Sequence, residues 1–261
     1  MRVRGAPTRD IALERTFNLR DLGGYPAAGG RTVRWRTLFR GAGLHRLSGA
    51  DAATFGELGV RTVVDLRTRA ELDERGGFPE AELPATVLHL PMIAAVWDHA
   101  DLRPGDAADD YLFRRYRDML DEGRPVITRV IELLAEPNRF PFAFYCAAGK
   151  DRTGVLASLV LGLLGVPDDE IVGDYHLSAE RVQRIVAQVR ARPQRETAMV
   201  EQPPELLSAP PEAMRLLLGW MRERYGSVAG CVEELGIGPD TVTGVRDNLL
   251  TPLGSGPSND R

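Results

Sequence analysis

A cysteine and an arginine six positions later frame a glycine-bearing turn near the middle of the chain. The segment from Cys146 to Gly154 follows the apolar run 142–145 and precedes a second apolar run that ends at Leu164. This pattern predicts a buried strand, a tight loop and the beginning of a helix. The backbone N–H groups of such a loop and the positive end of the helix dipole favour an anion. We therefore predict that this loop handles phosphate.

The same electrostatic field favours a thiolate at the cysteine. A free cysteine has a pKa of about 8.5, which can fall to roughly 3.5–7.5 at a helix N-terminus beside cations. A thiolate at Cys146 is a nucleophile, and the Arg152 guanidinium can donate two parallel hydrogen bonds to phosphate oxygens. Gly149 and Gly154 give the backbone the freedom that a tight cradle requires, and Thr153 can cap the helix or hydrogen-bond the sulfur.

The use of lysine supports this interpretation. Of the 33 basic residues only Lys150 is a lysine, and it lies inside the loop. This placement favours a compact ammonium over the planar fork of a guanidinium at that position. The alternative is a buried structural cysteine before a core helix. A charged Lys-Asp-Arg triplet fits badly between two apolar runs, however, unless an anion or another partner satisfies it.

Strand patterns precede the loop at several points. Short apolar runs predict strands at 60–66 and 86–92, and another leads into Cys146. The segment 22–40 contains two further strand-like pieces around the glycine pair 29–30, which suits a hairpin turn.

Helix patterns separate and follow these strands. Ser48 to Asp51 predicts a capping box that opens a helix ending at Gly59, and Pro125 suits the start of another helix. Further helices are predicted from the loop to Gly165, over 168–189, around 214–221, over 227–236 and after Pro239. Strands that alternate with helices predict an α/β fold: a mostly parallel central sheet with helices on both faces. Ligands bind such sheets at the carboxyl ends of the strands, where Cys146 lies.

Composition and length predict a single domain. The chain has 261 residues, 43% of them apolar, and no flexible linker divides it, so we predict one domain over residues 1–253. The tail 254–261 has a disorder-prone composition, and the polar segment 93–110 is predicted as a mobile loop beside the site.

Charge and cysteine usage limit the partners. A formal charge of −4 argues against general nucleic-acid binding, so attraction for an anionic substrate must be local to the site. Cys146 and Cys231 form neither a metal pattern nor a disulfide framework. The four histidines, His45, His89, His99 and His176, lack metal-ligand spacing. We predict no metal and no cofactor, and the sequence leaves the oligomeric state open.

Targeting signals are the remaining compositional question. The N-terminus lacks the apolar core of a signal peptide, and no run approaches the roughly 18 apolar residues of a membrane span. We expect a cytoplasmic protein without integral membrane contact, although secretion without a signal peptide stays open.

The loop as a whole resembles a known signature. Cys146 to Gly154 resembles the phosphate loop of the cysteine-dependent protein tyrosine phosphatase superfamily. The run 149–154, together with 18–24 and 64–67, is similar to the bacterial tyrosine and lipid phosphatases of the mycobacterial phosphatase B type. The resemblance extends from about residue 16 to about residue 250 and includes Asp174 to Ser178.

This resemblance implies a reaction and a set of roles. It implies that a phosphomonoester of a protein, phosphotyrosine above all with dual specificity open, or of a phosphoinositide, is hydrolysed through a phosphocysteine at Cys146. It implies phosphate binding by residues 147–153, with Arg152 on the phosphate oxygens, Lys150 at the rim and Asp151 as the proton donor. It further implies that residues 168–211 form a helical, lid-like insertion.

Several assignments stay open at this point. Asp98, Asp101 and Asp106 are alternatives to Asp151 as the proton donor. Asp65 and Arg67 end a strand that we expect beside the cysteine strand, where they order the cradle, meet substrate, or pair only with each other. Asn18, Arg20, Asp21 and Asp174 match motifs of the family, and the sequence gives them no role beyond polar anchoring near the loop.

One residue departs from the superfamily pattern. A histidine usually precedes the nucleophile, and this chain has Tyr145 there. Because a tyrosine cannot carry the positive charge of an imidazolium, the thiolate loses one support. Two hypotheses follow: an active phosphatase, and a catalytically weak module that binds phosphate without turnover.

Overall fold

Eight strands and ten α-helices lie within the residues that the computed structural model describes, which are 8–97, 102, 105, 107–190 and 204–253. The strands are β1 (Arg20–Asp21), β2 (Pro26–Ala27), β3 (Arg31–Val33), β4 (Leu38–Ala42), β5 (Thr62–Asp65), β6 (Thr86–His89), β7 (Phe142–Cys146) and β8 (Leu250–Pro252). The helices are α1 (Ala50–Gly56), α2 (Arg69–Arg75), α3 (Ala108–Glu122), α4 (Arg124–Leu134), α5 (Asp151–Leu163), α6 (Asp168–His176), α7 (Ser178–Arg190), α8 (Pro211–Tyr225), α9 (Val228–Glu234) and α10 (Pro239–Leu249).

The strand that ends at the cysteine lies in the middle of a five-stranded sheet. The strand order is β1-β4-β7-β5-β6, with β1 antiparallel to β4 and the other neighbours parallel. The register sets Ala42 beside Cys146 and Asp65 beside Tyr145. The carboxyl ends of β4, β5 and β7 therefore meet at one edge of the sheet. The mostly parallel sheet, the hairpin turn between β2 and β3, and the position of β5 beside β7 are confirmed.

Side chains of β7 alternate between two hydrophobic clusters. Phe142, Phe144 and Cys146 face the larger cluster, which includes buried residues of α3, α4 and α5. Ala143 and Tyr145 face a smaller cluster that includes buried residues of α1. Successive side chains of a strand point to opposite faces of its sheet, so the cysteine and the residue before it occupy different environments. Helices on both faces are confirmed.

The capping box predicted at Ser48 is wrong. Gly49 precedes α1 and makes no side-chain cap. The Asp51 carboxylate instead accepts hydrogen bonds from the backbone N–H groups of Glu14 (2.7 Å) and Arg15 (2.8 Å). The backbone at residues 14 and 15 therefore binds the carboxylate that the local sequence pattern assigned to the cap of the helix.

Two helical segments differ from the sequence patterns. No pattern singled out α3, whose buried residues Tyr111, Tyr116 and Met119 are separated along the chain by arginines and acids. The single helix predicted over 168–189 is two helices, α6 and α7, which meet at Leu177.

Some predictions concern residues outside the described ranges. These are the tail 254–261, the part of the lid-like insertion at 191–203, and the rival proton donors Asp98, Asp101 and Asp106. Within the described ranges, the structure contains no helix with both the length and the apolar character that a membrane crossing requires.

Candidate active site

The loop between β7 and α5 turns back on the sulfur of Cys146. The Gly149 N–H group donates to Sγ, with an N···S distance of 3.2 Å. Gly149 has a φ of +65°, and a Cβ at this position would lie 2.5 Å from the Gly41 carbonyl oxygen. Only glycine therefore fits. Because α5 begins at Asp151, the free N–H groups of its first turn point toward the same space.

A cavity of about 70 Å³ opens beside the loop. Its lining combines a nucleophile, charged groups and apolar side chains: Glu71, Arg75, Val96, Cys146, Ala147, Ala148, Lys150, Asp151, Arg152, Val182, Leu206 and Leu207. Of the predicted site residues, the loop residues Cys146, Ala147, Ala148, Lys150, Asp151 and Arg152 thus come together at one cavity. Gly149, Thr153 and Asp65 are not part of this lining.

A buried carboxylate holds the loop arginine. Arg152 donates to both oxygens of Glu71, with N···O distances of 2.5 Å and 3.0 Å, and both residues are buried. Burial alone would raise the pKa of Glu71, but Arg152 and the hydrogen bonds from Thr68 outweigh it and lower the pKa to about 2. The pair therefore keeps the guanidinium charged and aimed at the cavity.

Glu71 is a site residue that no sequence pattern singled out. Thr68 and Glu71 form a true capping box: the Thr68 side chain accepts from the Glu71 N–H, and the Glu71 carboxylate accepts from the Thr68 N–H. A capping-box pattern at Thr68 to Glu71 was therefore the sequence signal that could have pointed to Glu71, although the same kind of pattern at Ser48 gave a wrong prediction. It marks the start of α2, whose first turn carries the partner of Arg152.

Two tyrosines orient the candidate proton donor. The Tyr116 hydroxyl donates to Asp151 Oδ1 at 2.6 Å and also shares a hydrogen bond with the Tyr175 hydroxyl at 2.7 Å. Burial and the nearby Asp151 raise the pKa of Tyr116 well above its usual value, so its proton stays available for this bond. One Asp151 oxygen is fixed from the α3 side.

The lysine of the loop lines the cavity and is held by a second segment of the chain. Lys150 is buried, and its ammonium donates to the backbone carbonyls of Leu206 (2.5 Å) and Ser208 (2.9 Å). It also lies 3.2 Å from Asp151 Oδ1. Carbonyl oxygens of the segment before α8 attract the cation because burial leaves it with little water. This ammonium thereby ties residues 206–208 down onto the phosphate loop.

Thr153 neither caps α5 nor hydrogen-bonds the sulfur, and its contact with phosphate stays a prediction. The residue that caps α5 is Lys150, without a side-chain cap bond, and Thr153 Oγ1 is buried without a hydrogen-bond partner within the described residues.

Asp65 lies in a separate buried cluster next to the site. It forms an ion pair with Arg67 at 2.6 Å and accepts a hydrogen bond from the Tyr145 hydroxyl at 2.6 Å. Burial and the Asp65 charge raise the pKa of Tyr145, which stays neutral. This geometry favours the alternative in which Asp65 and Arg67 pair with each other, and a contact of Asp65 with substrate stays a prediction.

The histidines and acids do not form a metal site within the part of the chain that the structure describes. Within the described ranges, no group of three or more His, Cys, Asp or Glu residues is arranged to hold a metal ion. His45 is partly buried, and this burial together with Arg67 and Arg46 lowers its pKa to about 3.

Comparison with known proteins places this geometry in a family. The model of the tyrosine phosphatase family matches residues 11–251. The chain belongs to this family. It is 34% identical over 186 residues to a putative tyrosine-protein phosphatase of Cupriavidus necator, an alignment that covers 66% of this chain and 64% of the relative.

Two further relatives are similar over different lengths. The triple specificity protein phosphatase PtpB of Mycobacterium tuberculosis is 29% identical, with 90% of this chain and 96% of the relative covered. A tyrosine-protein phosphatase of Nostoc commune is 33% identical, with 59% and 52% covered. The matches therefore span less than two thirds of the Cupriavidus and Nostoc proteins and nearly all of the mycobacterial one.

Two solved structures with weak similarity are of the Pseudomonas aeruginosa protein TpbA. One is 18% identical with a TM-score of 0.33, and the match covers 80% of this chain and 91% of that one. The other, a variant in complex with phosphotyrosine, is 21% identical with a TM-score of 0.28, covering 56% and 72%.

Proposed function

We propose that this protein hydrolyses phosphotyrosine in proteins through a phosphocysteine intermediate. The observation that carries the proposal is the convergence of Cys146, Arg152 and the N-terminus of α5 on one cavity. A nucleophile, a bidentate cation and a set of free N–H groups are what phosphoryl transfer requires. Family membership supports the same reaction class.

The reaction has two steps. In the first, the Cys146 thiolate forms the S–P bond, the bond from phosphorus to the substrate oxygen breaks, and Asp151 gives its proton to the leaving oxygen. In the second, Asp151 takes a proton from water, the resulting hydroxide attacks phosphorus, and the S–P bond breaks to release phosphate and the thiolate. Arg152 and the loop N–H groups hold the equatorial oxygens throughout.

The lining of the cavity favours an aryl phosphate. Val182, Leu206 and Leu207 are buried apolar residues at the cavity, and Val96 is 42% exposed at it. Such side chains gain contact area from a phenyl ring and little from the short side chain of phosphoserine. A phosphoinositide is the second candidate substrate, because the loop carries Lys150. That ammonium would first have to leave two carbonyl oxygens, so the geometry supports phosphotyrosine better.

The weak-binding alternative depends on Tyr145. Its side chain lies across the sheet from the sulfur, among Asp65 and Arg67, and Arg152 with the loop amides remains in place on the cysteine side. This arrangement supports an active enzyme over a module without turnover.

Turnover of a generic aryl phosphate tests the proposed function. We expect the purified protein to hydrolyse it in the presence of a metal chelator, with a kcat of about 1 s⁻¹ or more, and to be inhibited by vanadate. On a substrate panel, the phosphotyrosine peptide should exceed both the matched phosphoserine peptide and phosphoinositide vesicles in kcat/KM. Binding of phosphate without turnover would contradict the enzyme, and a preference for the vesicles would contradict the assignment to phosphotyrosine.

A second cation at the cavity predicts a sequence preference. Arg75 lies one helical turn after Glu71 on α2 and lines the cavity; its side chain is 11% exposed and has an ion pair of 3.4 Å with the exposed Glu74. We expect Arg75→Gln to raise KM up to about 5-fold for a phosphotyrosine peptide with acidic neighbours, since one solvent-screened charge contact is worth up to about 1 kcal/mol. The KM for the small aryl phosphate should stay the same.

Arg69 provides the matched control for this measurement. It lies on the same helix, pairs with Asp73, and is 75% exposed. Arg69→Gln should leave the KM of both substrates unchanged. Equal effects of the two substitutions would show a general charge effect and refute a specific role of Arg75.

A further inference from the structure

A layer of buried polar side chains lies behind the phosphate loop. The Asn18 side-chain amide donates to the carbonyl oxygens of Ala148 (3.0 Å) and Gly149 (3.1 Å). The guanidinium of Arg40, from β4, donates to the same Gly149 oxygen at 2.8 Å. Two loop carbonyls are thus held by three hydrogen bonds on the side away from the cavity.

A shared carboxylate fixes both donors. Asp174, on α6, accepts from Arg20 at 2.8 Å and from Arg40 at 2.5 Å. Arg20 also donates to the Asn18 side-chain oxygen, which leaves the Asn18 amide nitrogen facing the loop. Asn18 itself has a φ of +66°, a left-handed conformation that asparagine tolerates better than most residues. We call Asn18, Arg20, Arg40 and Asp174 the anchor cluster.

The anchor cluster controls the direction of peptide dipoles. In a planar trans peptide the C=O and the following N–H point in opposite directions. Holding the Ala148 oxygen outward therefore turns the Gly149 N–H inward, where it donates to Sγ at 3.2 Å. Holding the Gly149 oxygen outward turns the Lys150 N–H inward in the same way. Either peptide in the reverse orientation would present a carbonyl oxygen to the thiolate or to a bound phosphate.

The cluster also carries positive charge. Two guanidinium groups face one carboxylate, which gives a formal excess of one positive charge directly behind the loop. Burial and the neighbouring Arg20 lower the pKa of Arg40 to about 10, while Asp174 acts in the opposite sense, so Arg40 is a cation at neutral pH. Position 145 cannot contribute in this way, because its side chain lies on the other face of the sheet.

We propose that Asn18 and Arg40 are positioning residues that hold the phosphate loop in its anion-binding conformation and thereby favour the Cys146 thiolate. A role of Asn18 and Arg40 in catalysis rests on the proposed function. Their effect on the ionisation of the sulfur can be measured whether or not the protein is a phosphatase. Arg20 and Asp174 act one step further away, by fixing the two donors.

Alkylation of the cysteine measures the effect without any turnover. The rate of Cys146 modification by iodoacetamide is followed against pH by mass spectrometry of the peptide that contains it, which separates it from Cys231. The unmodified protein and these variants share all the charged groups that line the cavity, which are Glu71, Arg75, Lys150, Asp151 and Arg152. We expect Asn18→Ala and Arg40→Gln each to move the alkylation midpoint upward by about one pH unit, a tenfold change in thiolate fraction below the midpoint.

Matched variants separate positioning from general destabilisation. Asn248 also donates its side-chain amide to a backbone carbonyl, that of Leu134 at 3.1 Å. Asn248→Ala should leave the midpoint unchanged. Arg40→Lys keeps the charge and should shift the midpoint less than Arg40→Gln, and it keeps the test valid if the glutamine variant does not fold.

Binding of orthophosphate provides the second readout. Its dissociation constant should rise about tenfold in Asn18→Ala and stay the same in Asn248→Ala, each checked for folding by its thermal transition. A folded Asn18→Ala protein with the midpoint and phosphate affinity of the unmodified protein would overturn the proposal. If the unmodified protein lacks phosphatase turnover, the proposed function fails, and the alkylation and phosphate data still decide the role of the anchor cluster.

Discussion

A Cys146→Ser variant is expected to lose hydrolysis of phosphotyrosine peptides by about 10⁴-fold or more. A serine hydroxyl is a much weaker nucleophile than a cysteine sulfur, so the variant lacks the attacking group of the proposed reaction. The remaining cradle keeps its N–H groups and its guanidinium. Orthophosphate should therefore bind the variant with an affinity close to that of the unmodified protein.

Cys231 offers the control for this change. It is buried, and burial raises the pKa of its thiol to about 11, so it is a poor nucleophile at neutral pH. Cys231→Ser should retain turnover within about twofold, because the residue lies outside the described site. Persistent turnover in Cys146→Ser would mean that another group attacks phosphorus. Loss of phosphate binding in the same variant would mean that the sulfur holds the loop together.

An Arg152→Lys variant is expected to lose about 10²- to 10³-fold in kcat/KM, which is the scale of removing one oriented donor from a charge-stabilising site. Lysine keeps the positive charge and loses the planar fork, which contacts both oxygens of Glu71 and which the proposed reaction uses to hold the phosphate oxygens. Arg222→Lys is the matched control, because Arg222 makes a comparable two-contact pair with Asp168 at the exposed surface. It should retain activity.

The Glu71 side of the same pair predicts a pH-dependent change in stability. The fold lowers the pKa of Glu71 from 4.5, its ordinary value in an unfolded chain, to about 2. Ionised Glu71 therefore stabilises the fold fully above pH 4.5. That contribution is lost as the pH falls from 4.5 toward 2. Glu71→Gln should therefore lower the free energy of unfolding at pH 7 and flatten its pH dependence in this window, as measured by urea titration. An unchanged slope would contradict the buried ion pair.

The loop and its flanking elements were predictable from sequence because their signals are local. An apolar run before Cys146, two glycines and a long apolar run after Arg152 determine strand, turn and helix within about twenty residues. The alternation of such patterns with helical ones also predicted the parallel sheet and placed the cysteine at its carboxyl edge. The family signature added the reaction class.

Tertiary structure alone decided which charged and polar groups contact each other around the loop. Glu71 is 81 positions from Arg152, Arg40 is 109 from Gly149, and Asn18 is 130 from Ala148. No local pattern selects such pairs in a chain with 33 basic and 37 acidic residues, since many combinations look equivalent before the chain packs. Packing also buried Lys150 beneath residues 206–208.

Tyr145 marks the boundary between the two kinds of information. Its identity and its place before the nucleophile are read directly from the sequence, and the folded chain places it on the face of the sheet opposite Cys146. Only the folded chain shows that Asp65 and Arg67 occupy that face and that Arg40 stands behind the loop. The residue types determined the chemistry of the loop, and long-range packing determined the charges that support it, because buried charges persist only where the fold supplies their partners.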